Sequence, residues 1–267
     1  MTQPTLMRTR DGAVLRVVLN RPEKLNALSL ELVKQLAAVA ADVRNDSTVR
    51  AVLVTATGRA FCTGADLTDT ALVTGGGGPL GDEVAERMRT VMNPLMQSWY
   101  RLPVPVIAAV NGIAAGAGVS FALVADIVTA AASATFSLPF VPRLGLVPDL
   151  GATYGLPLRL SSARVRGLSL LGTPIAARTA VEWGLIWDCV DDAALDSHAN
   201  ALAQQLASGP TAAIAGLKSL LAEGCGAGLD AQLEREALVQ RSLGDSEDFR
   251  EGLAAFRHKR APQFRGK

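Results

Sequence analysis

The chain has 267 residues, of which 49% are hydrophobic, enough for one large packed domain. Its 26 basic and 25 acidic residues leave a net charge of +1, without the clustered Lys and Arg that a nucleic-acid partner requires. The three cysteines are too widely spaced to predict a disulfide framework or a metal site. We see no signal peptide and no uninterrupted apolar run of membrane-spanning length, so we expect a cytoplasmic protein without a membrane partner.

The first part of the chain predicts alternating strands and helices. Residues 13–21 predict a strand, and Ser29 is a candidate N-cap for the amphipathic helix that follows. Residues 51–56 form a continuous apolar run, typical of a strand buried on both faces. Four consecutive glycines within residues 68–81 favour a mobile loop, followed by a helix from about residue 82 to 99.

The alternation continues in the middle of the chain. A third strand is predicted within residues 103–112, a helix within 115–126 and two short strands within 127–137. Repeated strand–helix units indicate α/β architecture. From Ser161 onward the pattern is mostly helical, with one short strand in residues 186–190.

Two segments share one design, an apolar strand followed by small residues and the start of a helix. They are residues 52–67 and 106–126. Small side chains let another group approach the main chain closely, and helix N-termini leave N–H groups unpaired. Two such segments, if they converge, would form a two-donor pocket for an oxyanion. Close packing of a helix on a sheet explains the same composition, so both interpretations stay open.

One acid, Asp149, lies in the apolar and glycine-rich stretch LGLVPDLGAT, residues 144–153. Burial of a carboxylate in such a setting raises its pKa unless a cation or a donor pairs with it. An acid of this kind is a candidate acid–base group. A helix cap, or an ion pair with Arg143 or Arg159, is the alternative.

Five motifs resemble those of the crotonase (enoyl-CoA hydratase/isomerase) superfamily, in the order of that family. They are NRPEKLNALS, FCTGADL, AAVNGIAAGAGVSFALVAD, FSLPFVPRLGLVPDLGAT and GTPIAARTAVEWGLIWDCVDD. Together they cover most of the chain. The segments VNGIAAGAG, LGLVPD, EWGLIW and APQFRGK look most like the branch of epoxyphenylacetyl-CoA isomerases and 3-enoyl-CoA isomerases.

The resemblance implies an α/β fold built as a spiral of repeated ββα units with a helical C-terminal part. Residues 1–200 would form this core and hold the acyl-CoA site, and residues 201–267 would form helices that contact other subunits. A homotrimer or a dimer of trimers is implied. The implied ligand is an acyl-CoA thioester, with coenzyme A as part of the substrate and no metal or separate cofactor.

The resemblance also assigns roles residue by residue. The backbone N–H groups of Ala65 and Ala117 fall on the two oxyanion donors. The two glutamates of hydratase relatives fall on Ser120 and near Phe140, and neither residue is a carboxylate base, so efficient hydration is not expected. The single acid of isomerase relatives falls on Asp149. One carboxylate can take a proton from one carbon and return it to another.

The remaining contacts follow from the same motifs. The predicted substrate-binding residues are Lys24, Ala27, Asp66, Leu67, Gly116, Ser120 and Phe140. Lys24 would meet a coenzyme A phosphate, with a solvated loop lysine as an equal alternative. Asp66 is expected to order its loop, and Cys62 to be a small packing residue. Met88, Met92, Leu95 and Trp99 lie at helical spacing, which suits either core packing or an acyl pocket.

The predicted activity is that of an enoyl-CoA isomerase. It would move a double bond, or rearrange a ring epoxide, in a CoA thioester. Hydratase or hydrolase chemistry of the same family is one alternative. A catalytically silent acyl-CoA-binding subunit is the other.

Overall fold

The computed structural model describes residues 4–73, 78–224, 226 and 228–267, and it contains two β-sheets. The larger sheet has the strand order β1-β2-β3-β5-β7-β10, and the smaller one has the order β4-β6-β8-β9. The strands of the larger sheet are β1 (Leu6–Asp11), β2 (Val14–Leu19), β3 (Ala51–Ala56), β5 (Val106–Val110), β7 (Ile127–Ala131) and β10 (Asp188–Val190). Those of the smaller sheet are β4 (Ala60–Cys62), β6 (Ile113–Ala115), β8 (Thr135–Ser137) and β9 (Ile175–Ala176).

Helices surround the sheets and make up most of the C-terminal part. They are α1 (Leu30–Asn45), α2 (Thr70–Val73), α3 (Leu80–Arg87), α4 (Asn93–Tyr100), α5 (Ala117–Leu123), α6 (Ala152–Gly155), α7 (Ser162–Leu171), α8 (Ala177–Trp183), α9 (Leu195–Ala207), α10 (Thr211–Gly224), α11 (Leu229–Gly244) and α12 (Glu247–Arg257). A wider π-helical turn, Met88–Met92, joins α3 to α4, and a second one spans Phe140–Leu144.

Consecutive strands alternate between the two sheets, which is the predicted ββα spiral. The chain passes from β3 to β4, from β5 to β6 and from β7 to β8, and in each sheet these strands pair in parallel. Every residue of β5, and all of β3 except Ala56, is buried, because helices or the second sheet cover both faces. The α/β prediction is therefore confirmed.

The structure corrects several predicted bounds. β1 was not predicted, because four of its six residues are exposed and its pattern is that of an edge hairpin. β4, β6 and β9 have only two or three residues each, too few for a periodic signal. The helix predicted over residues 82–99 begins at Leu80 and is interrupted by the π-helical turn. Part of the loop predicted over residues 68–81 forms α2, and residues 74–77 lie outside the described residues.

The predicted boundary at residue 200 falls inside α9, which packs on β3, β5 and β7. The helix that contains residue 200 thus packs on the larger sheet along with the core, and the division into two parts stays a prediction. Two cations tie the following helices to the core. Lys218 of α10 pairs with Asp126 at 2.6 Å, and Arg50 donates to the carbonyl oxygens of Gly209 and Phe264.

Candidate functional site

The two small-residue segments converge, as the family resemblance implies. A Cβ atom built on Gly64 would lie 3.1 Å from the nitrogen of Ala117, and one built on Gly118 would lie 2.0 Å from the carbonyl oxygen of Cys62. Main chain therefore touches main chain where the end of β4 meets the start of α5. We call residues 62–65 together with 116–118 the donor crossing.

The backbone N–H groups of Ala65 and Ala117 are available at the donor crossing. Leu28 pairs with Ala65 as an isolated parallel bridge. In this bridge the N–H of Leu28 donates to the carbonyl oxygen of Gly64, and the carbonyl oxygen of Leu28 accepts from the N–H of Asp66. The N–H of Ala65 therefore points away from Leu28. Among the described residues, neither this N–H nor that of Ala117 donates to another group. Both groups are thus free to bind an oxyanion.

Gly116 shapes the entry into α5. Its φ of +55° and ψ of −129° are strained for residues with a side chain, and its own N–H donates to the carbonyl oxygen of Ser137 at 2.9 Å. The ring of Phe140 lies 3.6 Å from the position that a Cβ on Gly116 would take. Phe140 is buried and therefore packs directly beside the donor crossing.

A buried ion pair supports the donor of Ala65. Arg21 Nη2 lies 2.9 Å from Asp66 Oδ2, and these side chains are only 13% and 7% exposed. Arg21 also donates to the carbonyl oxygen of Ala27, while Asp66 accepts from the N–H and hydroxyl of Thr68. The hydrogen bonds of Asp66 with Thr68 and Arg21 hold its pKa below the usual range, although burial opposes them. Asp66 therefore orders its loop, as predicted, and remains ionised.

Sequence reasoning missed the role of Arg21. The available signal was a lone acid, Asp66, within a loop of small residues, since a buried carboxylate usually has a cationic partner. Nothing in the spacing of Arg21 and Asp66, 45 residues apart, indicated which cation it would be.

Asp149 lies in a tight turn just before α6, and we call residues 148–151 the acid turn. Burial raises the pKa of its carboxyl to about 6, against a lowering by its own backbone N–H. Its Oδ1 atom is buried and has no hydrogen-bond partner among the described residues. The carboxyl therefore has the raised pKa expected of an acid–base group near neutral pH.

The alternatives for Asp149 do not occur among the described residues. Its side chain caps no helix, since α6 begins after Gly151 without a side-chain cap. No ion pair joins it to Arg143 or Arg159, and Arg159 instead donates to the carbonyl oxygens of Gly155 and Leu123. Among the described residues, the carboxyl of Asp149 therefore serves neither as a helix cap nor as half of an ion pair.

The apolar surroundings of Asp149 differ from those that the sequence suggested. Leu144, Leu146 and Val147 do not surround it, because all three are exposed, Val147 by 73%. Within residues 144–153 the buried residues are Pro148, Leu150 and Ala152. A glycine-rich loop has no fixed periodicity, so its sequence does not show which side chains face inward.

Ser120 connects the two parts of the site. It is 4% exposed, and its hydroxyl donates to the main-chain carbonyl oxygen of Asp149 at 3.0 Å. Ser120 lies three residues after Ala117 on α5, about 4.5 Å further along the helix axis. The acid turn and the donor crossing are therefore held by the same short helix.

The other predicted contact residues differ in their exposure to solvent. Ala27 is buried, Leu67 is 59% exposed, and Lys24 is exposed at the end of a 3₁₀ turn, Pro22–Lys24. No contact of these three residues with a ligand is tested by the structure, so their binding roles stay predictions.

Cys62 and Trp99 belong to the core. Burial raises the pKa of the Cys62 thiol to about 12, which makes it unreactive at neutral pH. Trp99 is fully buried, donates to the carbonyl oxygen of Leu36 and packs edge-on against Phe121. Met92 and Leu95 are also buried in this core, whereas Met88 is half-buried.

A surface cavity lies away from the site, among helices of the C-terminal part. Its lining residues are Pro210, Ala212, Ala213, Gln240, Leu243, Ser246, Asp248, Phe249, Gly252 and Phe264. None of the predicted site residues borders it. Within the described ranges, no three His, Cys, Asp or Glu side chains cluster closely enough to hold a metal ion. Across that same part of the chain, every helix is too short or too polar to traverse a lipid bilayer.

Comparison with known proteins places this chain in one family. The sequence profile of the enoyl-CoA hydratase/isomerase family matches residues 9–267. A 1,2-epoxyphenylacetyl-CoA isomerase of Escherichia coli is 44% identical over 257 residues, 96% of this chain and 97% of that protein. A Rhodobacter capsulatus protein named "Probable enoyl-CoA hydratase" is 43% identical over 251 residues, 94% of both chains.

A solved structure of the family has the same fold. The enoyl-CoA hydratase of Bacillus anthracis superposes with a TM-score of 0.91 at 31% identity, over 99% of this chain and 100% of that one. The chain therefore belongs to the enoyl-CoA hydratase/isomerase (crotonase) family of enzymes. The resemblance to the superfamily, and to its epoxyphenylacetyl-CoA isomerase branch, is confirmed.

Proposed function

We propose that the protein is an acyl-CoA isomerase that moves a double bond, or rearranges a ring epoxide, in a CoA thioester. The observation that carries the proposal is the carboxyl of Asp149, whose Oδ1 atom is buried without a hydrogen-bond partner among the described residues. The main chain of Asp149 is bonded to Ser120, on the helix that begins with the free N–H of Ala117. The 44% identity to a 1,2-epoxyphenylacetyl-CoA isomerase supports the same activity.

The donor crossing would stabilise the negative charge of the reaction. Removal of a proton beside a thioester places charge on the carbonyl oxygen as an enolate. The N–H groups of Ala65 and Ala117 would bind this oxygen, and each such donor contributes roughly 3–4 kcal/mol in acyl-transfer enzymes. Both donors belong to the main chain and are preorganised, so they need no rearrangement when the charge develops.

Asp149 would move the proton. In its ionised form it takes a proton from one carbon of the acyl chain, and the electron pair shifts toward the thioester oxygen. The resulting carboxylic acid then returns the proton to a different carbon of the same allylic system. A pKa of about 6 suits both steps near neutral pH.

Hydration is disfavoured by the residues at the two positions that correspond to the hydratase glutamates. Ser120 uses its hydroxyl proton in the bond to Asp149, and Phe140 presents an apolar ring beside Gly116. A second carboxylate to activate water is therefore missing at both positions that correspond to the hydratase glutamates. Hydratase activity stays the alternative, since a relative with a hydratase name is 43% identical.

The substrate supplies coenzyme A, and we propose no metal or further cofactor. Lys24, Ala27 and Leu67 would border the nucleotide and pantetheine. We further propose a cytoplasmic enzyme that assembles as a trimer or a pair of trimers through its C-terminal helices, as the family resemblance implies.

The test is a panel of CoA thioesters with product identification. The panel contains a 3-enoyl-CoA, a ring-epoxide phenylacetyl-CoA and a short 2-enoyl-CoA. We expect isomerised products from one of the first two and slow hydration of the third. Hydration at the rate of a dedicated hydratase would replace the isomerase proposal, and binding of all three thioesters without turnover would favour a silent binding subunit.

The Asp149→Asn variant tests the acid directly. We expect turnover to fall by about 100-fold or more with acyl-CoA binding retained, because general acid–base catalysis contributes roughly 10²–10⁴. Asp188→Asn is a matched control, since Asp188 also has a buried Oδ1 without a partner but lies on β10 and pairs with His198. Equal activity of both variants would remove Asp149 from the mechanism.

A further inference from the structure

The main-chain carbonyl oxygen of Asp149 accepts two hydrogen bonds. One comes from the N–H of Ala152 at 3.0 Å, within the acid turn itself. The other comes from the hydroxyl of Ser120 at 3.0 Å, across 29 residues of sequence. Ser120 is therefore the contact that ties the turn to another part of the molecule.

The carboxyl of Asp149 depends on its main chain for its position. Oδ1 has no hydrogen-bond partner, and no ion pair involves Asp149 among the described residues. The basic residues of the same segment, Arg143 and Arg159, do not pair with it, and the guanidinium of Arg159 binds carbonyl oxygens. Side-chain contacts thus do not fix where the carboxyl lies.

The acid turn itself is an unfavourable conformation. Leu150 adopts a φ of +51°, a left-handed conformation that residues with a side chain rarely adopt, and Gly151 follows with a φ of +85°. Such a turn persists only where surrounding contacts hold it. The residues that precede the turn are exposed, and Leu150 packs into the core. Among the described residues, the hydrogen bond from Ser120 is the polar contact that holds the main chain of Asp149 from outside its own segment.

We propose that Ser120 is a positioning residue, whose hydroxyl holds the main chain of Asp149 at a fixed place relative to the N–H of Ala117. The inference rests on the proposed function, in which Asp149 moves the proton. One helix, α5, then carries both the oxyanion donor, at its first residue Ala117, and the hydroxyl that holds Asp149, at its fourth residue Ser120.

Proton transfer is sensitive to this distance. A displacement of about 1 Å in a reacting group can cost about 100-fold in rate, although the substrate still binds. Loss of the Ser120 hydroxyl is therefore expected to lower kcat much more than it changes KM.

The experiment compares Ser120→Ala and Ser120→Cys with a control of the same kind. Thr55 is also buried, and its hydroxyl donates to the carbonyl oxygen of Ala109 at 3.0 Å within the larger sheet. Thr55→Val removes that hydroxyl with little change of shape. With the CoA thioester of the panel that the unmodified enzyme isomerises, we expect Ser120→Ala to lower kcat by roughly 10- to 100-fold. We expect Ser120→Cys to retain more activity than Ser120→Ala, and Thr55→Val to keep kcat within about twofold.

The pH profile separates positioning from a general loss of stability. The unmodified enzyme should lose kcat on acidification through about pH 6, where Asp149 becomes protonated. A released carboxyl gains water, so in Ser120→Ala the apparent pKa of this limb should move down toward the ordinary value of an aspartate. Thr55→Val should leave the limb in place.

A double variant completes the test. If Ser120 acts through Asp149, adding Ser120→Ala to Asp149→Asn lowers kcat no further. If the two residues act independently, the fold-losses in kcat of the two single variants multiply. A full loss in Asp149→Asn combined with unchanged kcat and pH profile in Ser120→Ala overturns the positioning role and leaves the proposed function intact. An unchanged rate in Asp149→Asn overturns the proposed function itself.

Discussion

The donor crossing and the acid turn are built in opposite ways. At the donor crossing, main chain touches main chain, and glycine is required because any Cβ at position 118 would overlap Cys62. At the acid turn, two consecutive residues, Leu150 and Gly151, have positive φ angles, and exposed apolar side chains precede them. The comparison shows that the donors are fixed by sterics along a whole strand–helix contact, whereas the acid depends on a few hydrogen bonds.

The largest effect is expected from a methyl group in the donor crossing. Gly118→Ala would place its Cβ 2.0 Å from the carbonyl oxygen and 2.6 Å from the carbonyl carbon of Cys62. Backbone atoms cannot move aside, so we expect a loss comparable to the total stability of a domain, about 5–15 kcal/mol, and no folded protein. The measurement is circular dichroism with urea unfolding.

Gly167→Ala is the control for this substitution. Gly167 lies within α7, and a Cβ there would meet nothing within 4 Å. Removing glycine from a helix interior should raise the free energy of unfolding by about 0.5–1 kcal/mol. Normal stability of Gly118→Ala would show that the donor crossing is loosely packed after all.

The second effect concerns the buried ion pair beside Ala65. Arg21→Met leaves the carboxylate of Asp66 buried without its cation, which typically costs about 3–5 kcal/mol. Because Asp66 follows Ala65 directly, we also expect kcat to fall by roughly tenfold or more through displacement of the donor. Urea unfolding and turnover of the same preparation measure the two changes.

An exposed ion pair provides the reference. Arg8 and Asp42 pair at 2.6 Å with exposures of 35% and 65%, so Arg8→Met should cost less than about 1 kcal/mol and leave kcat unchanged. Similar losses in the two variants would contradict a special role for the Arg21–Asp66 pair.

The third and smallest effect tests the acid turn through its pH dependence. The folded-state pKa of Asp149, about 6, lies above the usual 3.8, so ionisation opposes folding. Well below pH 3.8 the carboxyl is protonated in both states and this cost is absent; the cost grows as the pH rises from about 4 and levels off above about pH 6. Asp149→Asn should therefore be more stable than the unmodified protein at pH 8, by up to about 3 kcal/mol, although it is less active.

Unfolding of both proteins in urea from pH 4 to 8 measures this difference. The expected result is a gap that is near zero at pH 4 and largest at pH 8. A gap that is constant across the range, or one that reverses sign, would mean that burial does not raise the pKa of Asp149.

The sequence predicts the fold where burial is continuous. Residues 51–56 and 106–110 form apolar runs that only a strand covered on both faces would bury, and both are strands. β4 and β6 are strands because they pair with each other, and a segment of three residues is too short for its sequence to predict that pairing. The resemblance supplied the spiral order that short segments alone do not show.

The site is predicted to a smaller extent. The motifs indicated that the two small-residue segments converge, and the structure brings Gly64 to Ala117. The partner of Asp66, and the direction of the Ser120 hydroxyl, depend on tertiary contacts between residues far apart in sequence. The catalytic roles of Asp149, Ala65 and Ala117 stay predictions until the variants are measured.

The two proposed donors are amide groups that every amino acid except proline carries. Their chemistry is therefore insensitive to most point mutations at positions 65 and 117, provided that the new side chain fits. Substitutions at positions 120, 140 and 149 do change the chemistry, because there the side chains of Ser120, Phe140 and Asp149 determine what each residue does. During divergence of a gene, the capacity to hold an enolate would persist while exchanges at these few codons redirect the proton.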